Sequence, residues 1–249
     1  MSVQVNSLSL DQHSHFYDRF RVARIAASRN AEDFESALQA VEEFGRALTP
    51  TGIGMGSYKN PIAKALGLEG DSDFSTLYDA VRLARNDAVH EGARARHLAA
   101  NAISLLILMG DRMFRNNSEL TLGHFMVRDP VVIQSWMPVA NARTAMLRYS
   151  FSSIPVEIDG AWRVIMDHAL ISFLDSPDRD ERIKMTVRAA NAEGLHLPRC
   201  RLFEHNTVRR DLLVKPVSDD EIRYPVLVTQ KLANGGQHVV GIVSAFDLL

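Results

Sequence analysis

The chain has 249 residues, 46% of them apolar, and its 28 lysine and arginine side chains face 30 aspartates and glutamates for a formal net charge of −2. That balance excludes a polybasic protein held to nucleic acid by bulk charge, so contact with a polyanion has to come from a local patch. A single cysteine, Cys200, excludes an internal disulfide, and the cysteine usage fits a reducing cytoplasm.

No Cys/His spacing suits a structural zinc, so no metal site is expected. The most apolar run, Ile103 to Met109, is too short to cross a bilayer. Met1 to Asn6 lacks a basic stretch followed by an apolar one, so neither export nor membrane insertion is expected. The length allows one large core or two small ones.

Residues 13 to 47 read as two amphipathic helices separated near Asn30, with Phe16, Phe20, Ala23 and Ala27 on one stripe and Phe34, Leu38, Val41 and Phe44 on the next. Asn30 with Asp33 supplies a start signal for the second. The stretch after Pro50, with Gly52, Gly54, Gly56 and Pro61, reads as a connector. It has neither the preceding strand nor the Gly-Lys-Ser/Thr of a phosphate-binding loop. Asp73 to Asn116 is helical again but long for one helix, which predicts a break near Arg85. Asn86 or Asp87 then caps a new helix whose buried side is Val89, Ala95, Ala99, Ala102, Leu105 and Leu106. Residues 1 to 118 form, on this reading, an all-α helical bundle.

After Asn117 short β-branched runs alternate with short helical patterns. Val131 to Ile133 reads as a strand and Val139 to Tyr149 as a helix. Ile154 to Ile158 and Trp162 to Met166 form a hairpin across Asp159-Gly160, and a further helix starts at Asp167-His168. This β-α-β-β-α order recurs in Leu202-Phe203, Thr207 to Leu213, Pro225 to Thr229, the turn Asn234-Gly235-Gly236 and Val239 to Val243, ending in Ser244 to Leu249. We read the two as an internal duplication. Ile154-Pro155-Val156 corresponds to Tyr224-Pro225-Val226, and Val164-Ile165-Met166 to Ile242-Val243-Ser244. A helix within Asp178 to Glu193 joins them. The fold class expected is α+β, with residues 1–118 followed by paired units at 119–175 and 176–249.

One hexapeptide carries chemistry. Arg85-Asn86-Asp87-Ala88-Val89-His90 sets a guanidinium, whose fork of donors suits phosphate oxygens, five residues from an imidazole that exchanges protons near neutral pH. Together they can cleave RNA without a metal. Asn86, His90, Arg94, His97 and Asn101 recur every three or four residues and make one polar stripe able to line an RNA groove. Arg82 and Arg96 add phosphate contacts, and Asp79 could orient Arg85 or His90. The alternative is a solvated helix face with surface ion pairs.

Other residues read more plainly. His13 and His15 are exposed residues near a helix start, with no third ligand beside them. Cys200 is an inert thiol. Trp136 and Trp162 are packing residues, since no basic-aromatic interleaving surrounds them.

On Phe125 to Pro130, the Ile-Pro-Val and Tyr-Pro-Val strands and Gly241 to Leu249, residues 119–249 resemble a tandem pair of CBS domains, modules that often sense adenine nucleotides. The resemblance implies a Ser/Thr-x-x-Asp element for ribose and phosphate, matched by Ser244 and Asp247, with Tyr224 and Arg223 beside it. ATP, ADP or AMP would be the regulatory ligand, with no cofactor otherwise required. Met166 and Ala169 stand at the equivalent positions of the first unit, so one site per pair is expected. A helix capping box has the same spacing and is the other reading.

On Arg85 to His90 in a helical setting, residues 1–118 resemble the HEPN superfamily, many of whose members are metal-independent endoribonucleases. That resemblance implies a homodimer in which two motifs share a groove, with Arg85, Asn86 and His90 catalytic and Arg94, His97 and Arg82 binding RNA. The combined expectation is an endoribonuclease regulated through its CBS pair. The alternative is a non-catalytic nucleotide sensor whose helices only dimerise or bind a partner, and a third option leaves both sites empty in a structural protein.

Overall fold

The computed structural model describes residues 7–49, 54–86, 92–209, 224–231, 237–244 and 247, with residues 84–86 and 92–95 described by their backbone alone. The chain divides into two compact units, Met1–Leu120 and Thr121–Leu249.

In the first unit, helix α1 (Leu10–Arg29) starts where Ser9 and Gln12 form a reciprocal capping box and ends at Asn30, whose extended backbone leaves the helical region. The Asn30 side chain accepts from the Glu32 N–H and begins a 3-10 turn, Ala31–Asp33, that leads into α2 (Phe34–Leu48). Asn30 therefore both stops one helix and starts the next. Phe16, Phe20, Ala23 and Ala27 are the buried face of α1. Phe16 and Phe20 each meet Phe44 of α2 edge to face, at 5.1 and 5.4 Å between ring centres.

The glycine-rich stretch expected to be a connector is helical from Met55 to Leu66 (α3), with Gly56 and Pro61 inside it. Pro61 removes one donor and leaves the Ser57 carbonyl without its helical partner, a cost offset by burying Pro61 with Met55, Tyr58, Ile62 and Leu66. Tertiary burial overrides the local breakers here. Gly45 makes the contact possible, because a Cβ there would lie 2.4 Å from Tyr58 Cγ. Helix α4 (Ser72–Asn86) and helix α5 (Gly92–Arg115) complete the described part of the unit. Ala99, Ala102, Leu105 and Leu106 of α5 are buried in its core.

In the second unit, a short helix α6 (Leu122–Phe125) precedes strands β1 (Val127–Arg128) and β2 (Ile133–Gln134). Helix α7 (Val139–Tyr149), strands β3 (Ser153–Ile158) and β4 (Ala161–Met166) and helix α8 (Asp167–Leu174) follow. Strand β2 runs parallel to β3, and β3 pairs antiparallel with β4. Asp159 and Gly160 both have positive φ, as a two-residue hairpin turn of matching twist requires.

Two short helices, α9 (Arg179–Arg182) and α10 (Val187–Ala192), replace the single helix expected between Asp178 and Glu193. The backbone between them is spent elsewhere: the Ile183 and Met185 carbonyls accept from Ala140 and Val139, and the Val187 and Arg188 N–H groups donate to Met137 and Ser135. A continuous helix would forfeit those bonds.

Strands β5 (Leu202–Glu204), β6 (Val226–Lys231) and β7 (Gln237–Val243) repeat the pattern of one parallel and one antiparallel pairing, and β1 closes the far edge in the order β1-β7-β6-β5. The proposed correspondences do not both hold in space. Val156 pairs with Arg163, whereas Val226 pairs with Val243, the residue equated with Ile165. The second hairpin is offset by two positions, with an irregularity at Val228/Thr229. An even offset preserves which face each side chain takes. Gly241 is where β7 meets Met126, whose Sδ would lie 2.2 Å from an added Cβ.

Candidate functional site

Arg85 and Asn86 end α4, and α5 begins only at Gly92. His90 lies outside the described residues, as do the side chains of Arg85, Asn86 and Arg94. Of the polar stripe, Asn86 belongs to α4 and Arg94, His97 and Asn101 to α5. His97 and Arg96 are exposed and Arg82 is partly so.

Among the described residues, Asp79 meets Lys59 and Arg82. Lys59 Nζ donates to one carboxylate oxygen at 2.6 Å, and Arg82 Nε lies 3.6 Å from the other. The hydrogen bond from Lys59, more than any other influence, holds the Asp79 carboxyl below its ordinary range.

In the second unit, Ser244 follows directly on β7 and Asp247 three residues later is 8% exposed. Asp247 Oδ2 accepts from both the Ser244 N–H and the Ser244 hydroxyl, each at 2.8 Å, while the Asp247 N–H donates to the Ser244 carbonyl at 3.1 Å. This is only half of a capping box. The carboxylate reaches back to the first residue, but the serine hydroxyl donates to it instead of accepting the Asp247 N–H. The last register pair of the hairpin is Val226 with Val243, so Tyr224-Pro225 and Ser244 lie at the same end of the sheet. Arg223 lies outside the described residues.

The first unit differs at the matching turn. Met166 precedes α8 with no side-chain cap, packs against the core, and is followed by a buried Ala169. Neither side chain offers an oxygen. The local carboxylate, Asp167, instead accepts from the His168 N–H at 2.6 Å.

Cys200 has its thiol pushed up to about 12 by burial, which fits an inert role. Trp136, expected to pack, is 67% exposed. Two grooves in this unit, of about 590 and 330 Å³, flank α7. None of Ser244, Asp247 and Tyr224 lines either. The exposed walls of the 590 Å³ groove, Leu147 and Ile171, escaped sequence reasoning because an apolar residue in an amphipathic run is assigned to the core by default. Among the described residues no cluster of three or more His, Cys, Asp or Glu could hold a metal ion, and no helix is long and apolar enough to cross a membrane.

No model of a known protein family matches the sequence, and no curated protein matches it. Solved structures similar to about half of the chain include CBS-domain proteins. One is a CBS domain-containing protein of unknown function from Bacillus anthracis, with TM-score 0.40, 11% identity, and coverage of 54% of this chain and 94% of that one. Another is CBSX2 in complex with AMP, with TM-score 0.37, 17% identity, and coverage of 51% and 92%. A third is the CBS domain of a bacterial CNNM/CorC family Mg2+ transporter in complex with ATP, with TM-score 0.39, 17% identity, and coverage of 53% and 85%. The chain is mixed α+β, with N-terminal helices followed by short strands and helices.

Proposed function

We propose that the chain is a regulatory protein that senses an adenine nucleotide, taking one ATP, ADP or AMP per chain at Ser244 and Asp247 with Tyr224 and Arg223 alongside. The supporting observation is the Asp247 carboxylate, nearly buried and fixed by two bonds from Ser244 at the end of β7. A carboxylate is the side chain suited to receive both hydroxyls of a ribose. The Ser244 hydroxyl, which donates to Asp247 in the structure, can turn its proton to a phosphate oxygen. Tyr224 would add an aromatic face at the same sheet end, and Arg223, its neighbour in sequence, would add a cation.

Binding that favours one arrangement of the duplicated units would be transmitted to the helices only as far as the ligand's affinity differs between arrangements. Thermal denaturation with ATP, ADP and AMP tests the site, since a ligand of the folded state raises the melting temperature. At least one of the three raises it in wild type and none does in Asp247→Asn. Equal shifts in both proteins would remove Asp247 from the site.

A second reading concerns the helical unit. What supports it is that Arg85 and Asn86 belong to α4 of the helical unit, with Arg94 and His97 on α5. On that reading Arg85, Asn86 and His90 cleave RNA without metal in a homodimer, with Arg82, Arg94 and His97 on the phosphates. A mixed RNA pool incubated with the protein and EDTA would yield cyclic phosphate and free 5′-hydroxyl ends. The products would vanish in Arg85→Ala and His90→Ala, and equal cleavage by all three proteins would discard the reading.

A further inference from the structure

Strand β4 has a second neighbour besides β3. The chain from Pro198 to Cys200 runs antiparallel to it: the Val164 N–H donates to the Pro198 carbonyl at 3.0 Å and the Cys200 N–H to the Trp162 carbonyl at 2.9 Å. Arg163 and Arg199 face each other between those two bonds. This is the narrow, non-hydrogen-bonded kind of antiparallel pair, with Cα atoms about 4.5 Å apart and both side chains leaving on one face. Arg201 comes two residues later in the run that leads into β5, and alternation along an extended chain returns it to the face of Arg199. Its guanidinium lies over the Phe203 ring at 5.5 Å.

Like charges directly opposite one another destabilise a sheet, and among the described residues no carboxylate pairs with Arg163, Arg199 or Arg201 to relieve them. The neighbouring acids are engaged elsewhere. Asp159 meets Arg188 at 2.8 Å and Glu204 meets Lys231 at 2.6 Å. Glu157 follows the Val156 that pairs with Arg163 and so takes the opposite face. Arg163 donates once, from Nη1 to the Leu197 carbonyl at 2.8 Å. The Nε atoms of Arg163 and Arg201 are buried without a hydrogen-bond partner among the described residues, a costly condition for a charged donor. Arg163 and Arg201 are half-buried and Arg199 is exposed, so the cluster opens to water on the side of Arg199.

Three guanidiniums on one face offer planar forks of donors and no acceptor. A small anion with oxygens on every side and about two negative charges answers that pattern, accepting from several forks at once and screening the opposed charges from each other. We propose that Arg163, Arg199 and Arg201 bind a free tetrahedral dianion of the inorganic phosphate or sulfate type. The site is independent of the nucleotide reading, since it includes neither Ser244 nor Asp247.

Isothermal titration of the full chain with sodium phosphate and, separately, with sodium sulfate tests it, the ionic strength being held constant with sodium chloride. At least one of the two binds wild type saturably at one anion per chain, and the tighter of them identifies the occupant. Arg199→Gln removes an exposed side chain with no ion pair or hydrogen bond among the described residues. It weakens binding by about tenfold to a hundredfold, the worth of a charge-assisted hydrogen bond. Asp247→Asn leaves the affinity unchanged. A second readout separates a binding arginine from a structural one. In chloride alone Arg199→Gln raises the urea midpoint, because it removes one of two opposed charges, and Arg199→Glu raises it further by pairing with Arg163 while abolishing anion binding. Circular dichroism matching wild type confirms that each variant is folded. No saturable binding of either anion at millimolar concentration, an affinity unchanged in Arg199→Gln or lost in Asp247→Asn, or a urea midpoint lowered by Arg199→Gln would overturn the proposal.

Discussion

At Asp247 one carboxylate oxygen receives two donors from Ser244, so stability and the proposed nucleotide binding would draw on the same atoms. Asp247→Asn keeps an acceptor for the Ser244 N–H but loses the charge, and it should cost about 0.5–2 kcal/mol, the range for a lost cap. Urea denaturation without nucleotide measures that cost separately from any loss of binding. Gly45 answers to packing alone. An added Cβ there meets Tyr58 Cγ at 2.4 Å and Cβ at 2.5 Å, atoms close to the backbone, so α2 and α3 must move apart. Gly45→Ala is predicted to destabilise by about 1–3 kcal/mol, the usual cost of overpacking, read as a lower urea midpoint.

Cys200 makes a chemical prediction. Burial pushes its thiol from 9.0 up to about 12, so at pH 8 the native protein should react with a thiol reagent far more slowly than the urea-unfolded chain. Equal rates would contradict its burial. These single positions were unevenly legible in the sequence. Asp159-Gly160 announced a turn because few residues tolerate two successive positive φ angles. The Gly45 contact was invisible, since it depends on a tyrosine from a helix that the sequence did not announce.

Among the elements, α3 and the α9–α10 pair show where sequence patterning fails. Glycines at 52, 54 and 56 and a proline at 61 speak locally against a helix, yet α3 buries Met55, Tyr58, Ile62 and Leu66, and burial at about 25 cal/mol per Å² outweighs such penalties. Between α9 and α10 the pattern was helical, but cross-chain bonds to residues 135–140 took the backbone first. By contrast α1, α2, α7 and the β3–β4 hairpin followed their apolar spacing, because each buries one continuous stripe.

The clip between α3 and α4 carries a pH prediction. Lys59 holds the Asp79 carboxyl below its ordinary range, so its stabilisation is complete above about pH 4 and disappears as pH falls through the lowered folded value. Asp79 is partly exposed, which keeps the contribution to about 1 kcal/mol or less. Lys59→Met should lower the urea midpoint at pH 7 and lose that difference by pH 2.

For the whole molecule, the two units pose separate questions, and the candidate sites were legible to different degrees. Ser244 and Asp247 were readable because a capping turn and a ribose-binding turn share one spacing, and the structure shows a half-box that leaves both roles open to experiment. The Arg85 motif was readable as composition, and the described residues of its polar stripe fall on α4 and α5. The two copies of the strand pattern differ at one matched turn: Ser244 and Asp247 carry side-chain oxygens where Met166 and Ala169 carry none. That asymmetry gives the most direct test. Isothermal titration of the full-length wild type with ATP, ADP and AMP should show saturable binding of at least one of them at one molecule per chain. Two molecules per chain, or no heat from any of the three at millimolar concentration, would contradict the account.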